Sequence, residues 1–168
     1  MLVEGASDQA AVEALARRLG HDLDGEGVAV VAMGGITNLR AHLRRFDGEG
    51  LAVAGLYDEG EGPYVQRVLA EAGADPARFH VCVADLEDEL IRALGVDAVV
   101  EVVAAAGESA ALRSMQRQPA QLHRPVDAQL RRFMGTKGGR KIRYGRLLVD
   151  ALDLDRVPAP LAAVLALG

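Results

Sequence analysis

The sequence predicts an α/β fold: a four-stranded parallel sheet flanked by helices, followed by a C-terminal helical extension. Three observations predict it. Short apolar runs of strand character alternate with amphipathic stretches of 8 to 13 residues up to about residue 95, the pattern of βαβ units. Half of the residues are hydrophobic but only 4% are aromatic, and tryptophan is absent, which suits an aliphatic α/β interior rather than a β-sandwich. Beyond residue 95 the apolar residues keep a helical spacing. At 168 residues the chain is expected to form one domain, 1–168, with an α/β core over 1–95 and helices over 96–168. The helical part is not expected to stand alone, because Val99, Val102, Val103, Leu147, Leu148 and Leu152 need a surface to pack against.

Leu2 to Glu4 allows only a very short first strand. Ser7 is placed to cap a helix reaching about Leu19, with Ala11, Val12, Leu15, Ala16 and Leu19 on one face. Gly20 and Asp24-Gly25-Glu26-Gly27 turn the chain into a buried-type strand from Val28 to Met33. Gly34-Gly35 leads to a helix from about Asn38 to Phe46, and a turn at 48–50 precedes the third strand, Leu51 to Tyr57. Pro63 suits the first turn of a helix ending near Ala72, and Phe79 to Val83 is the fourth strand. Helices then follow from Val96 to Ala106, Glu108 to Arg117, Val126 to Met134 and Arg140 to Leu152. Gly107, Pro119, Pro125 and a glycine loop at 135–139 divide them.

Charge is distributed unevenly. From Ala111 to Arg146 there are ten lysines and arginines against a single acid, Asp127, a net +9 that leaves −14 for the rest of a chain of net −5. An acidic body with a basic arm fits a protein that gathers cations in one place and polyanions beside it; a solvated helical face would look the same. The single cysteine, Cys82, lies in an apolar strand and excludes both a disulfide framework and a thiolate zinc site. The apolar start turns acidic at Glu4, and no apolar run reaches the ~18 residues of a spanning helix. A cytoplasmic location is expected.

Three predicted strands end in acids: Leu2-Val3 runs into Glu4, the third strand into Asp58, and the fourth into Asp85-Leu86-Glu87-Asp88-Glu89. In a parallel sheet the carboxyl ends of the strands are where ligands bind. Two like charges ~4 Å apart repel by about 1 kcal/mol in water and about 4 near a protein surface. A hard divalent ion such as Mg²⁺ or Mn²⁺ removes that cost by taking oxygen ligands. Asp8, in the first helical turn, can approach Glu4 across the loop that Gly5 permits, and Asp85 and Glu87 point to one side if their backbone is extended. Each stretch also has a plainer reading. Asp8 and the 85–89 run would complement helix dipoles, Glu4 would be solvated, and Asp58 would open an ordinary loop.

Gly135-Thr136-Lys137-Gly138-Gly139-Arg140-Lys141 invites comparison with a nucleotide-binding loop and fails it. Arg140 stands where glycine is needed, Ile142 replaces the Ser or Thr, and no buried strand precedes the loop. A basic glycine loop opening a helix still suits a phosphate, with Arg140 or Lys141 offsetting its charge. His21, His42, His80 and His123 lack ligand spacing, and no Ser-His-Asp or Cys-His arrangement is present.

The Val3-Glu4-Gly5-x-Ser7-Asp8 opening, Asp58 at a strand end and Asp85-Leu86-Glu87 at another resemble a Toprim domain, shared by topoisomerases, bacterial primases, small RNA-maturation nucleases and the OLD (overcoming lysogenisation defect) nucleases. The Asp-Leu-Glu-Asp-Glu-Leu run and Gly139-Arg140-Lys141-Ile142-Arg143-Tyr144 resemble the OLD branch most. The resemblance implies a metal-dependent DNA endonuclease or nickase using two Mg²⁺ or Mn²⁺ ions. Glu4, Asp8 and Asp58 would hold one ion, and Asp85 and Glu87 would help hold the other. Lys141 would stand near the scissile phosphate, with Lys137 the lesser candidate. Arg131, Arg132, Lys137, Arg140 and Arg143 would grip the DNA backbone with little reading of sequence. Gly60 replaces a second Asp found in general Toprim domains, so Glu59 or water would have to serve there. OLD proteins carry an ATPase domain that no stretch here resembles, so ATP control would come from a separate ATPase partner or be absent. The competing expectation is a catalytically silent module that binds nucleic acid or docks on such a partner.

Overall fold

The structure is a computed structural model describing residues 1–137 and 139–166; Gly138, inside the predicted glycine loop, lies outside the described residues, as do 167 and 168. Four strands, β1 (Leu2–Val3), β2 (Val31–Ala32), β3 (Gly55–Asp58) and β4 (Phe79–Cys82), form one all-parallel sheet in the order β2-β1-β3-β4. Nine α-helices are described: α1 (Ala6–Leu19), α2 (Leu39–Gly48), α3 (Gly62–Ala72), α4 (Leu86–Leu94), α5 (Val96–Ala105), α6 (Ser109–Gln116), α7 (Val126–Met134), α8 (Arg140–Ala151) and α9 (Ala159–Leu165). No described helix is long and apolar enough to cross a membrane.

Successive strand residues face opposite sides of the sheet, and the core divides accordingly. Leu2, Tyr57 and Phe79 join α2 and α3 on one face. Val3, Leu56 and Cys82 join α1 and the later helices on the other, in one apolar cluster that includes Val99, Leu130, Tyr144, Leu148 and Leu161. The basic helices therefore share their apolar interior with the sheet. Gly55 is forced: a Cβ there would lie 2.8 Å from the Leu2 carbonyl oxygen and 2.9 Å from the Phe79 ring.

Several boundaries differ from the sequence pattern, each for a local reason. The second strand is shorter than its apolar run because β1 offers only Leu2 and Val3 as ladder partners, and the third begins at Gly55, where its pairing with β4 starts. Ser7 does not cap α1. Gly5 occupies that position, its N–H donating to Asp8 Oδ2 at 2.8 Å, while Ser7 is buried. The sequence reading missed α9 and gave α4 no range; the helix start at 85–89 was only its plainer alternative, and it is the one observed. Asp85 is not in a continuing extended segment; it is the N-cap of α4, and Glu87 sits in the first helical turn.

Candidate metal centre

The carboxyl edge of the sheet collects acids from four elements. Glu4 follows β1, Asp8 lies in the first turn of α1, Asp58 ends β3, and Asp85 and Glu87 open α4. The turn out of β4 needs a left-handed residue, Ala84 (φ 64°), a conformation that costs a non-glycine residue roughly 1 kcal/mol. It precedes the residue whose Oδ1 accepts the Asp88 N–H at 2.8 Å and so starts α4.

Two clefts of about 430 Å³ each open on this edge. One is lined by Glu4, Asp8, Asp58, Lys137 and Lys141. The other is lined by Asp85, Glu87, Asp88, Arg124, Arg131, Arg132 and Lys141. Lys141, in the first turn of α8, lines both. It gets there because α8 packs closely on α1. A Cβ at Gly145 would lie 2.7 Å from the Ser7 carbonyl oxygen, so only glycine permits this approach.

Arg140 fixes the same turn from below. Its Nη2 donates to Glu108 Oε1 at 2.8 Å, its Nη1 to Thr136 Oγ1 at 2.7 Å and the Phe133 carbonyl at 3.1 Å, and its guanidinium lies 4.0 Å from the Phe133 ring centre. The hydrogen bond from Arg140 holds Glu108 below the usual carboxylate range. Arg140, expected on the nucleic acid, is thus spent inside the protein. Arg143 is half-exposed and donates to the Ala106 carbonyl; Arg132 and Lys137 are exposed.

The acids act on one another. Burial, then Glu4, Asp8 and Asp85, push Asp58 up to about 7. Burial, then Asp8 and Glu61, raise Glu4. Burial raises Asp8 despite the Gly5 N–H and Lys141. The acid whose charge reaches Glu4 beyond β3 is Glu61 rather than Glu59, which the sequence had offered in place of the missing Asp. Glu87 is raised by burial against the pull of Lys141. Burial alone would lower Lys141, but Glu87, with Asp8 and Asp85, holds it above its usual value. Burial, then Asp58 and Glu89, raises the Cys82 thiol, so it stays a protonated core residue.

The two ends of the cluster differ in their partners. Asp85 Oδ2 accepts from Arg131 Nε at 2.6 Å, with Arg131 Nη2 an ion-pair partner also 2.6 Å away. Glu87, 3% exposed, has Lys141 Nζ 3.0 Å from Oε2, an ion-pair distance whose angle falls outside hydrogen-bond geometry. Glu4, Asp8 and Asp58 have no ion pair among the described residues, and Glu4 Oε2 is buried without a hydrogen-bond partner. Among the described residues no three His, Cys, Asp or Glu side chains are grouped closely enough to hold an ion as placed. The acids share one edge, but part of their oxygens are turned to Arg131, Lys141 and backbone N–H groups.

The donors present fit a hard divalent ion: they are all carboxylate oxygens, two of them, Glu4 Oε2 and Glu87 Oε2, are buried without a hydrogen bond, and Glu4, Asp8 and Asp58 have no ion pair among the described residues, only the charge of Lys141 acting on them. Sequence reasoning named these acids but missed Arg124, the Arg131–Asp85 pair and the Gly145 contact with Ser7. Only Arg124 left a signal, as part of the basic segment just before α7.

A parallel sheet with acids at the ends of its first, third and fourth strands is the arrangement that the resemblance to a Toprim domain implies. Residues 1–59 match the family model described as "Overcoming lysogenization defect protein-like, TOPRIM domain". The C-terminal region of the Burkholderia pseudomallei OLD protein is similar in structure, with a TM-score of 0.71 at 22% identity over 99% of this chain and 93% of that one. Two structures of the C-terminal region of the Xanthomonas campestris pv. campestris OLD protein are also similar. The one phased with mercury has a TM-score of 0.71 at 25% identity, covering 98% of this chain and 91% of that one; the one phased with platinum has 0.74 at 24%, covering 98% and 88%. No curated protein matches. Residues 1–59 are thus similar to the Toprim domain of OLD-like proteins, and the fold of the chain is that of the C-terminal regions of OLD proteins.

Proposed function

We propose that this chain is a divalent-metal-dependent DNA endonuclease or nickase that hydrolyses phosphodiester bonds at the acid cluster. The observation that supports this most is the group of Glu4, Asp8 and Asp58, which has no ion pair among the described residues: burial first, then the neighbouring acids, raise Asp58 to about 7 against the pull of Lys141. Glu4, Asp8 and Asp58 would hold one Mg²⁺ or Mn²⁺ ion, and Asp85 and Glu87 a second. When bound, two such ions supply Lewis-acid charge stabilisation on both sides of the scissile phosphate. The chain's own residues do the rest. Lys141, between the clefts, neutralises the phosphate, while Arg131, Arg132 and Arg124 hold the flanking backbone through contacts that do not read sequence and weaken with salt. Lys137 and the half-exposed Arg143 extend this basic surface, and Arg140 supports it by fixing the first turn of α8. Residues 1–168 act as one domain in this reading, with the helices of 96–168 supplying the cations and the core of 1–95 the acids. An ATPase, on another chain or as a region of a longer one, is the expected partner and the cytoplasm the expected location.

Incubating the purified chain with supercoiled plasmid and Mg²⁺ or Mn²⁺ tests the reading. Relaxed or linear product is expected, and it should be absent with Asp58→Ala. Plasmid left intact under every ion would refute it. A second reading, a catalytically silent module that binds nucleic acid or docks on the ATPase, is favoured by the cations already held on Asp85 and Glu87. Under that reading Mn²⁺ would not raise the melting temperature, whereas an ion-binding site must.

A further inference from the structure

Each acid assigned to the second ion already has a cation. Asp85 has both oxygens in use, Oδ1 on the Asp88 N–H and Oδ2 on the Arg131 guanidinium. Glu87 is buried beside Lys141 Nζ. A divalent ion arriving there would meet two resident positive charges within contact range, and their repulsion opposes its binding. Arg131 and Lys141 are nonetheless able to leave. Their side chains are 46% and 49% exposed, whereas Arg140, which is structural, is 9% exposed. Both line a cleft with Arg124 and Arg132, where a backbone phosphate offers the guanidinium the same two-pronged partner that a carboxylate does.

We propose that Arg131 and Lys141 form a counter-ion latch on Asp85 and Glu87, opened when phosphates of a bound nucleic acid draw the two cations away. The second ion then binds only together with the polyanion, whereas the first binds the free protein. The inference rests on the metal-centre reading above and deepens it. Because such coupling is reciprocal, filling the Asp85–Glu87 position also strengthens the hold on nucleic acid.

Counting bound Mn²⁺ by electron paramagnetic resonance and titration calorimetry on the whole chain tests this, with and without a short phosphorothioate duplex that resists cleavage. The wild type is expected to bind one ion alone and a second with the duplex present. Arg131→Met keeps the stem and removes the charge; it should tighten the second ion by about tenfold or more without duplex, while weakening duplex binding. Arg132→Met removes the same charge without touching Asp85, so it should weaken duplex binding and leave the ion count unchanged. Two ions bound equally well by the free wild type would overturn the latch, as would a count that the duplex does not change; neither depends on a variant folding. Wild-type protein that takes up no Mn²⁺ in either condition would instead remove the metal reading beneath it.

Discussion

Glu4, Asp8 and Asp58, at the ends of β1 and β3, have no ion pair among the described residues, while Asp85 and Glu87, at the end of β4, each carry a cation. The two groups share a sheet edge and a charge type, so the difference comes from what lies above them. The first group faces the α1 loop, which offers backbone N–H groups and the orphaned surroundings of Glu4 Oε2. The second lies under α7 and α8, which bring Arg131 and Lys141. The first is a site strained by its own charge, and the second is balanced until something competes for its partners.

The largest expected effect is on cleavage. Asp58→Ala and Glu87→Ala should each lower plasmid nicking by about a thousandfold or more, the scale of losing a group needed to place an ion, with unchanged circular dichroism. Activity surviving in both would erase the comparison along with the site. Next comes Gly145→Val, which drives a side chain into the Ser7 backbone where a Cβ alone would sit at 2.7 Å. It should destabilise by ~2–3 kcal/mol, a fall of roughly 5–10 °C in melting temperature. It should also displace Lys141 from between the clefts, so duplex affinity should drop in whatever fraction remains folded.

A smaller effect separates the groups by pH. Asp58 is raised from 3.8 to about 7, so the folded state favours its protonated form. Its contribution to stability is complete at low pH, below the unfolded value, and is lost as the pH rises through about 7. Without metal, the melting temperature should therefore decline towards neutral pH, and Mn²⁺ should restore it most above neutrality, where the proton no longer competes. A Mn²⁺ response that is flat across this range would mean that Asp58 does not face the ion. The smallest change in nucleic-acid binding is expected from Arg140→Lys, which loses the guanidinium contacts to Glu108 and its stacking on Phe133. It should cost ~1–2 kcal/mol of stability and weaken duplex binding less than Arg132→Met does.

The parallel sheet and its acid-tipped strands were legible in the sequence because both follow from local pattern: an apolar run, then a carboxylate, then a glycine or a helix. Helix α4 was hidden by its own acids. The run from Asp85 to Glu89 drew attention as a ligand set and masked Leu86, Leu90 and Ile91 at helical spacing. Helix α9 was hidden by Pro158 and Pro160 on either side of its start. The pairing of Arg131 with Asp85 spans 46 residues and is set by how α7 packs on α4; no spacing in the chain announces it. The same holds for Arg140 and Lys141. Adjacent in sequence and alike in charge, they divide between anchoring the helix and reaching the acids, because successive helical residues point about 100° apart.

The central claim is that the unpaired group is held in an unfavourable charge state that a divalent ion relieves. Asp58→Asn tests it directly by melting at about pH 8, with and without Mn²⁺. The variant should melt higher than wild type in the absence of metal, by about 2–4 °C for the ~1 kcal/mol that remains after solvent screening, and should lose most of the Mn²⁺ response. A variant that melts lower without metal, or that responds to Mn²⁺ as the wild type does, would contradict the account.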